Sequence, residues 1–116
     1  MKADDLRVRT KNYALRIIRL YRALPRSTES EIMGRQLLRS GTSVGAQFRE
    51  GYRAKSKADF ISKLTGSLQE LDESLYWLEL LGEADVFPVE KPAPFLQETN
   101  ELLAILTTII KGQRNS

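Results

Sequence analysis

Residues 40–60 read Ser40-Gly41-Thr42-Ser43-Val44-Gly45-Ala46-Gln47-Phe48-Arg49-Glu50-Gly51-Tyr52-Arg53-Ala54-Lys55-Ser56-Lys57-Ala58-Asp59-Phe60, and the fold turns on how they are read. Ser40, Gly41, Thr42, Ser43 and Gly45 are poor helix formers, together costing a helix about 3–4 kcal/mol relative to alanine. They nevertheless lie between two long segments with apolar residues at helical period. One explanation is a glycine-rich anion cradle. A P-loop, however, places four residues between its glycines and then Lys-Ser or Lys-Thr, and a dinucleotide fingerprint follows a strand; neither pattern is present. The other explanation is steric. On one continuous helix Gly34, Gly41 and Gly45 fall within about 40° of one another, beside a ridge of Met33, Leu37, Val44 and Phe48. That arrangement predicts a helix running through residues 40–45, its glycine face pressed against another helix.

The flanking sequence supplies the partners. Residues 4–24 predict a first helix, with Leu6, Tyr13, Ile17, Leu20 and Leu24 at heptad spacing and Ala14, Ile18 and Tyr21 widening the apolar arc. Arg9, Arg16, Arg19, Arg22 and Arg26 occupy much of the remaining surface, and Pro25 stops the helix. Thr28-Glu29-Ser30-Glu31 has the form of a capping box, opening a second helix over 29–53. Ser56 and Asp59 form another, opening a third helix over 57–81 that carries Phe60, Leu64, Leu71 and Leu78 inside and Glu70, Asp72, Glu73 and Glu79 outside. Gly82 reads as its stop. Residues 83–92 form the longest connection, with Phe87 expected to cover one end of the core. A fourth helix over 93–112 aligns Phe95, Leu102, Leu106 and Ile109, with Leu96, Leu103 and Ile110 beside them. The expected fold is all-α, an up-down-up-down antiparallel four-helix bundle forming a single domain over 1–116.

Composition narrows the chemistry. The chain has neither cysteine nor histidine, which removes disulfides, thiolate and imidazole metal ligands and histidine-based triads. We therefore expect no enzyme, no cofactor, no metal and no small-molecule substrate. An enzyme would require carboxylates such as Glu50, Glu70 and Glu73 to converge on a pocket. No run of eighteen apolar residues is present and the N-terminus is charged, so the expectation is a cytoplasmic protein without a membrane partner. The charge is unevenly distributed. Residues 1–57 hold 14 Lys/Arg and 5 Asp/Glu, a net of +9, whereas residues 58–116 hold 4 and 10, a net of −6. Such asymmetry fits either nucleic-acid contact or basic and acidic helices lying side by side.

Three aromatic residues stand out as candidate subunit contacts: Trp77, off the main stripe of the third helix, and Tyr13 and Tyr21 on the first. For Trp77 a half-exposed place on the bundle surface is an equal alternative. Wide apolar arcs on several helices point to self-association.

The string Gln36-Leu37-Leu38-Arg39-Ser40-Gly41-Thr42-Ser43-Val44-Gly45-Ala46 resembles the 23S ribosomal RNA intervening-sequence protein family, also called the four-helix bundle protein family. The likeness continues through Arg49-Glu50, residues 54–60 and residues 73–81, with Gln47 standing where the family often has Asn. The resemblance implies a small bacterial bundle and a homo-oligomer, a pentamer being the assembly known among relatives. It also implies a setting that involves RNA, and it supplies no catalytic residues. Three function classes follow. The first is RNA binding through Arg9, Arg16, Arg19, Arg22 and Arg26. The second is an oligomeric protein scaffold, or an accessory protein of the reverse-transcriptase-associated kind, with its arginines paired to the acids of the third helix. The third is a carboxylate enzyme.

Overall fold

The computed structural model describes residues 2–86 and 93–116. Four helices account for nearly all of them: α1 (Ala3–Ala23), α2 (Thr28–Tyr52), α3 (Lys57–Glu83) and α4 (Ala93–Arg114). Side-chain pairings set their directions. Gly34, Gly41 and Gly45 of α2 face Tyr21 and Leu24, then Ile17, then Thr10 of α1, so the numbering runs in opposite senses. On its other flank α2 meets α3 through Ser40 with Ser74 and through the Val44 carbonyl, which accepts from Ser67. The end of α4 returns to the start of α3, where Lys57 Nζ donates to the Ser116 carbonyl at 2.6 Å. The topology is therefore the expected up-down-up-down antiparallel bundle. It measures 46 × 20 × 19 Å, and a helix of 25 residues is about 38 Å long, so each helix runs most of the length. The backbones of α1 and α2, α2 and α3, and α3 and α4 pack closely, whereas α1 and α4 meet through long side chains.

Helix α2 runs unbroken through residues 40–45. The hydroxyls there bond back to their own helix: Thr42 donates to the Leu38 carbonyl and Ser43 to the Arg39 carbonyl, each at 2.7 Å. Such local bonds satisfy the hydroxyls without breaking the backbone ladder. The low propensity is offset by packing. A methyl group added to Gly41 would lie 2.9 Å from Ile17 Cγ1, and one on Gly34 would lie 2.7 Å from Leu24 Cδ1. Two more glycines, unmarked in the sequence reading, do the same between α2 and α3. Leu64 fills the space beside Gly51, and the Gln47 amide lies over Gly66. The longer side chain at 47 is thus used across this contact. Between the helices Leu6, Ile17, Leu37, Val44, Phe48, Leu64, Leu71, Leu78, Leu102 and Leu106 are completely buried.

Two helix ends differ from expectation. Ser27, not Thr28, caps α2: it is the last extended residue, and its Oγ accepts from the Ser30 amide at 3.2 Å while donating to the Ser30 hydroxyl at 2.9 Å. Thr28 is already helical, and Glu31 is bound instead by Arg35 at 2.6 Å. Gly82 does not stop α3; it is buried inside the last turn. The stop is Asp85, with φ of 57°. There Asp85 N–H donates to the Gly82 carbonyl and Val86 N–H to the Leu81 carbonyl, both at 3.2 Å, a paired closure normally built on glycine. Aspartate is among the few other residues that enter this left-handed conformation readily. The Ser56 cap of α3 is as expected, accepting from Asp59 N–H at 3.0 Å. Phe87, expected to cover the core, lies outside the described residues.

Candidate nucleic-acid interface

The five arginines selected from the sequence divide into two groups. Arg9 turns toward α4, where its Nε donates to Glu98 at 3.1 Å and its Nη2 reaches Glu101 at 3.2 Å. Its hydrogen bond to Glu98 is the main cause that raises its pKa, and only 24% of its side chain is exposed. Arg16 lies on the same side, its guanidinium 4.4 Å from the centre of the Phe95 ring, a cation–π geometry. Together these two close the wide α1/α4 seam. Arg19, Arg22 and Arg26 are exposed and have no carboxylate partner among the described residues.

Helix α3 draws in a different arginine. Arg39 of α2 donates to Glu70 at 2.8 Å and to Glu73 at 2.8 Å, and these bonds raise its pKa strongly. Glu73 also accepts from the Trp77 indole at 3.0 Å, and that bond, ahead of Arg39, lowers its pKa. Glu50 pairs with Lys63 at 3.4 Å instead. Glu50, Glu70 and Glu73 therefore do not converge on a pocket. Among the described residues no group of three or more acidic side chains is placed to hold a metal ion.

The three aromatic candidates have separate fates. Trp77 is half-buried, tied to Glu73 and edge-on to exposed Tyr76 at 5.0 Å. Tyr21 is also half-buried, its ring covering Gly34. Tyr13 is 1% exposed, so in the chain it is a core residue and not a surface anchor. Its hydroxyl meets Thr99 Oγ1 at 2.7 Å, beside the pair that Ser74 makes with Ser40 at 2.8 Å. One hydroxyl from each helix thus joins a buried polar layer across the bundle. Burial pushes the Tyr13 phenol up to about 12.

A basic groove that the sequence reading did not single out runs between α1 and α2. Thr10, Lys11 and Ala14 form one wall and Thr42, Gly45, Ala46 and Arg49 the other, around a space of about 250 Å³. A wider depression of about 640 Å³ adjoins it, shares Lys11 and Arg49, and adds Asp4, Arg7, Val8, Asn12 and Leu15. Its floor comes from the small residues that let α1 approach α2. Those residues were visible in the sequence, but the cations above them were not grouped, because they come from different helices.

A family model described as 23S rRNA-intervening sequence protein matches residues 5–108. The chain belongs to that family. The match takes in the α1 arginines, the groove and most of α4. No curated protein matches the chain significantly. The 23S rRNA-intervening sequence fold seen here is similar to the crystal structure of a protein with unknown function from the S23 ribosomal protein family of Bacteroides thetaiotaomicron. The two chains share 39% identity, with a TM-score of 0.87, over 96% of this chain and 99% of that one. Among the described residues of this family member, no helix is long and apolar enough to cross a membrane.

Proposed function

We propose that this family member is a non-catalytic, self-associating cytoplasmic bundle that contacts RNA through exposed basic side chains. The observation that carries the reading is the division among its arginines. Arg9, Arg16 and Arg39 are engaged within the chain, while Arg19 and Arg22 of α1 and Arg26 just beyond it are exposed without a carboxylate partner among the described residues. Arginine suits phosphate because its planar fork donates parallel hydrogen bonds. The family's description supports the same direction. Self-association draws support from exposed Val8, Ile32 and Tyr76 and from a shallow apolar face on α4 formed by Ala104, Ile105, Thr108 and Ile109. A closed ring, such as a pentamer, would repeat the basic surface and multiply weak contacts. The test is Arg19→Glu with Arg22→Glu, checked for unchanged circular dichroism and assembly mass, then titrated with structured RNA over a range of salt. Weaker binding and a shallower salt slope are expected. Identical curves would remove these arginines from the interface.

The second reading is an oligomeric scaffold or accessory protein without direct RNA contact. The pairing of Arg39 with Glu70 and Glu73 favours it, since there basic and acidic helices do neutralise one another. Purification with and without nuclease separates the two: a scaffold keeps its mass and carries no RNA in either preparation.

A further inference from the structure

We propose that the α1/α2 groove seats the sugar–phosphate backbone of an RNA strand, with Lys11 and Arg49 as its phosphate donors. This rests on the RNA reading above and moves its centre from the α1 arginines to a built groove. The first support is where charge collects in three dimensions. Residues 2–11, 45–66 and 98–116, which include the carboxylates bound to Arg9, lie toward one end of the bundle and hold eleven Lys/Arg against six Asp/Glu, a net of +5. The rest of the chain is left at −2. The groove opens at that basic end.

The second support is the state of the groove's own polar groups. The Thr10 and Thr42 hydroxyl protons are already donated to the Leu6 and Leu38 carbonyls, at 2.8 and 2.7 Å. The donors left for an anion are therefore the cations. Lys11 and Arg49 have no partner among the described residues, and Arg7 has only an exposed contact with Asp4 at 3.6 Å. The inner lining contains no carboxylate to repel phosphate and no aromatic ring to stack a base. Those features favour backbone contact that is indifferent to sequence. Its floor of Ala14, Gly45 and Ala46 has little side chain to hold a strand away. Arg22 lies eleven residues beyond Lys11, three turns or about 16 Å along the same face of α1. The strand's path thus leads from the groove toward the exposed arginines.

The experiment titrates the intact chain with a structured RNA at several salt concentrations, using two groove variants. Lys11→Ala with Arg49→Ala removes two phosphate contacts. The log–log salt slope should become shallower by about 1.4 and affinity should fall about 25-fold at 0.1 M salt. Ala46→Leu fills the groove from an exposed position with every charge kept, and should also weaken binding. Native mass spectrometry monitors assembly throughout. If wild type binds RNA and both groove variants match it while Arg19→Glu with Arg22→Glu does not, the groove is overturned and the RNA reading stands. Loss of binding in the double variant with none in Ala46→Leu makes the cations a diffuse field, which also overturns a seat. A changed mass with unchanged RNA affinity makes the groove a protein contact instead. If wild type binds no RNA, the proposed function and the seat fail together.

Discussion

Replacing Tyr13 by phenylalanine tests whether the buried hydroxyl layer is connected as its geometry requires. The Thr99 hydroxyl proton goes to the Phe95 carbonyl at 2.6 Å, so at the 2.7 Å contact Tyr13 must be the donor. By the same rule the Ser74 proton goes to the Glu70 carbonyl at 2.9 Å, so Ser40 is the donor to Ser74. The variant removes one donor from a fully buried site. It strands no proton, because Ser74 retains the Glu70 carbonyl at 2.9 Å and Thr99 retains Phe95. The loss should therefore sit near the net value of one hydrogen bond, about 0.5–1.5 kcal/mol, and below the penalty for an orphaned donor. At roughly 4 °C per kcal/mol for a chain of this length, Tm should fall by about 2–6 °C.

A pH series adds a signature that simple loss of packing would not give. The folded phenol holds its proton up to about 12, whereas the unfolded one ionises near 10. Its contribution is thus complete below pH 10 and is lost as pH rises toward 12, because the unfolded state then binds fewer protons. Between pH 8 and pH 11 wild type should lose about 1.4 kcal/mol through this residue alone. The variant lacks that loss, so the gap between the two proteins should nearly close at pH 11. The partly buried Tyr52 is common to both and cancels. Urea unfolding at fixed protein concentration, at pH 8 and 11, gives the comparison. Equal stability at pH 8, or a gap that stays constant to pH 11, would refute the connected layer.

Other perturbations address the local packing and the caps. Gly41→Leu should push Ile17 aside and cost about 1–3 kcal/mol or more, read as a lower urea midpoint; an unchanged midpoint would remove the close-packing role. Ser27→Ala should cost about 1 kcal/mol and Thr28→Ala under about half as much, since only Ser27 caps α2; the reverse order in thermal melts would restore the Thr28 box.

The helices themselves were readable because their signals are local. Heptad-spaced apolar residues, Pro25 and the Ser56–Asp59 pair act within one or two turns, and each boundary lies within two residues of expectation. The departures arise where two candidates compete within one turn. Ser27 and Thr28 can both cap a helix, and Ser30 decides between them by bonding Ser27 through backbone and side chain. Gly82 and Asp85 can both end one. Gly82 is buried in the last turn of α3 and Asp85 closes it. Gly51 and Gly66 escaped notice for a different reason. Their close contacts are with Leu64 and Gln47 on the partner helix, and no spacing within a single helix records that.

The same distinction governs the candidate site. By charge alone Arg9 and Arg16 look like Arg19 and Arg22, although at 100° per residue the first pair lies about 50–75° from the Leu6/Tyr13/Ile17/Leu20/Leu24 stripe and the second about 130–165°. What separates them is the wide α1/α4 seam, which brings Glu98, Glu101 and Phe95 within reach of the first pair only. An arginine already holding two carboxylates has little capacity left for phosphate, however exposed its face appears on a helical projection. The division of charge between the two halves of the chain changes meaning for a related reason. Antiparallel packing lays the basic half against the acidic half, so a simple half-to-half field largely cancels where α2 meets α3, as Arg39 shows with Glu70 and Glu73. What survives is set by position along the bundle axis, and it concentrates where α1 begins, α2 ends, α3 begins and α4 ends. A surface able to hold a polyanion is therefore more consistent with that end and the groove opening there than with the whole length of α1.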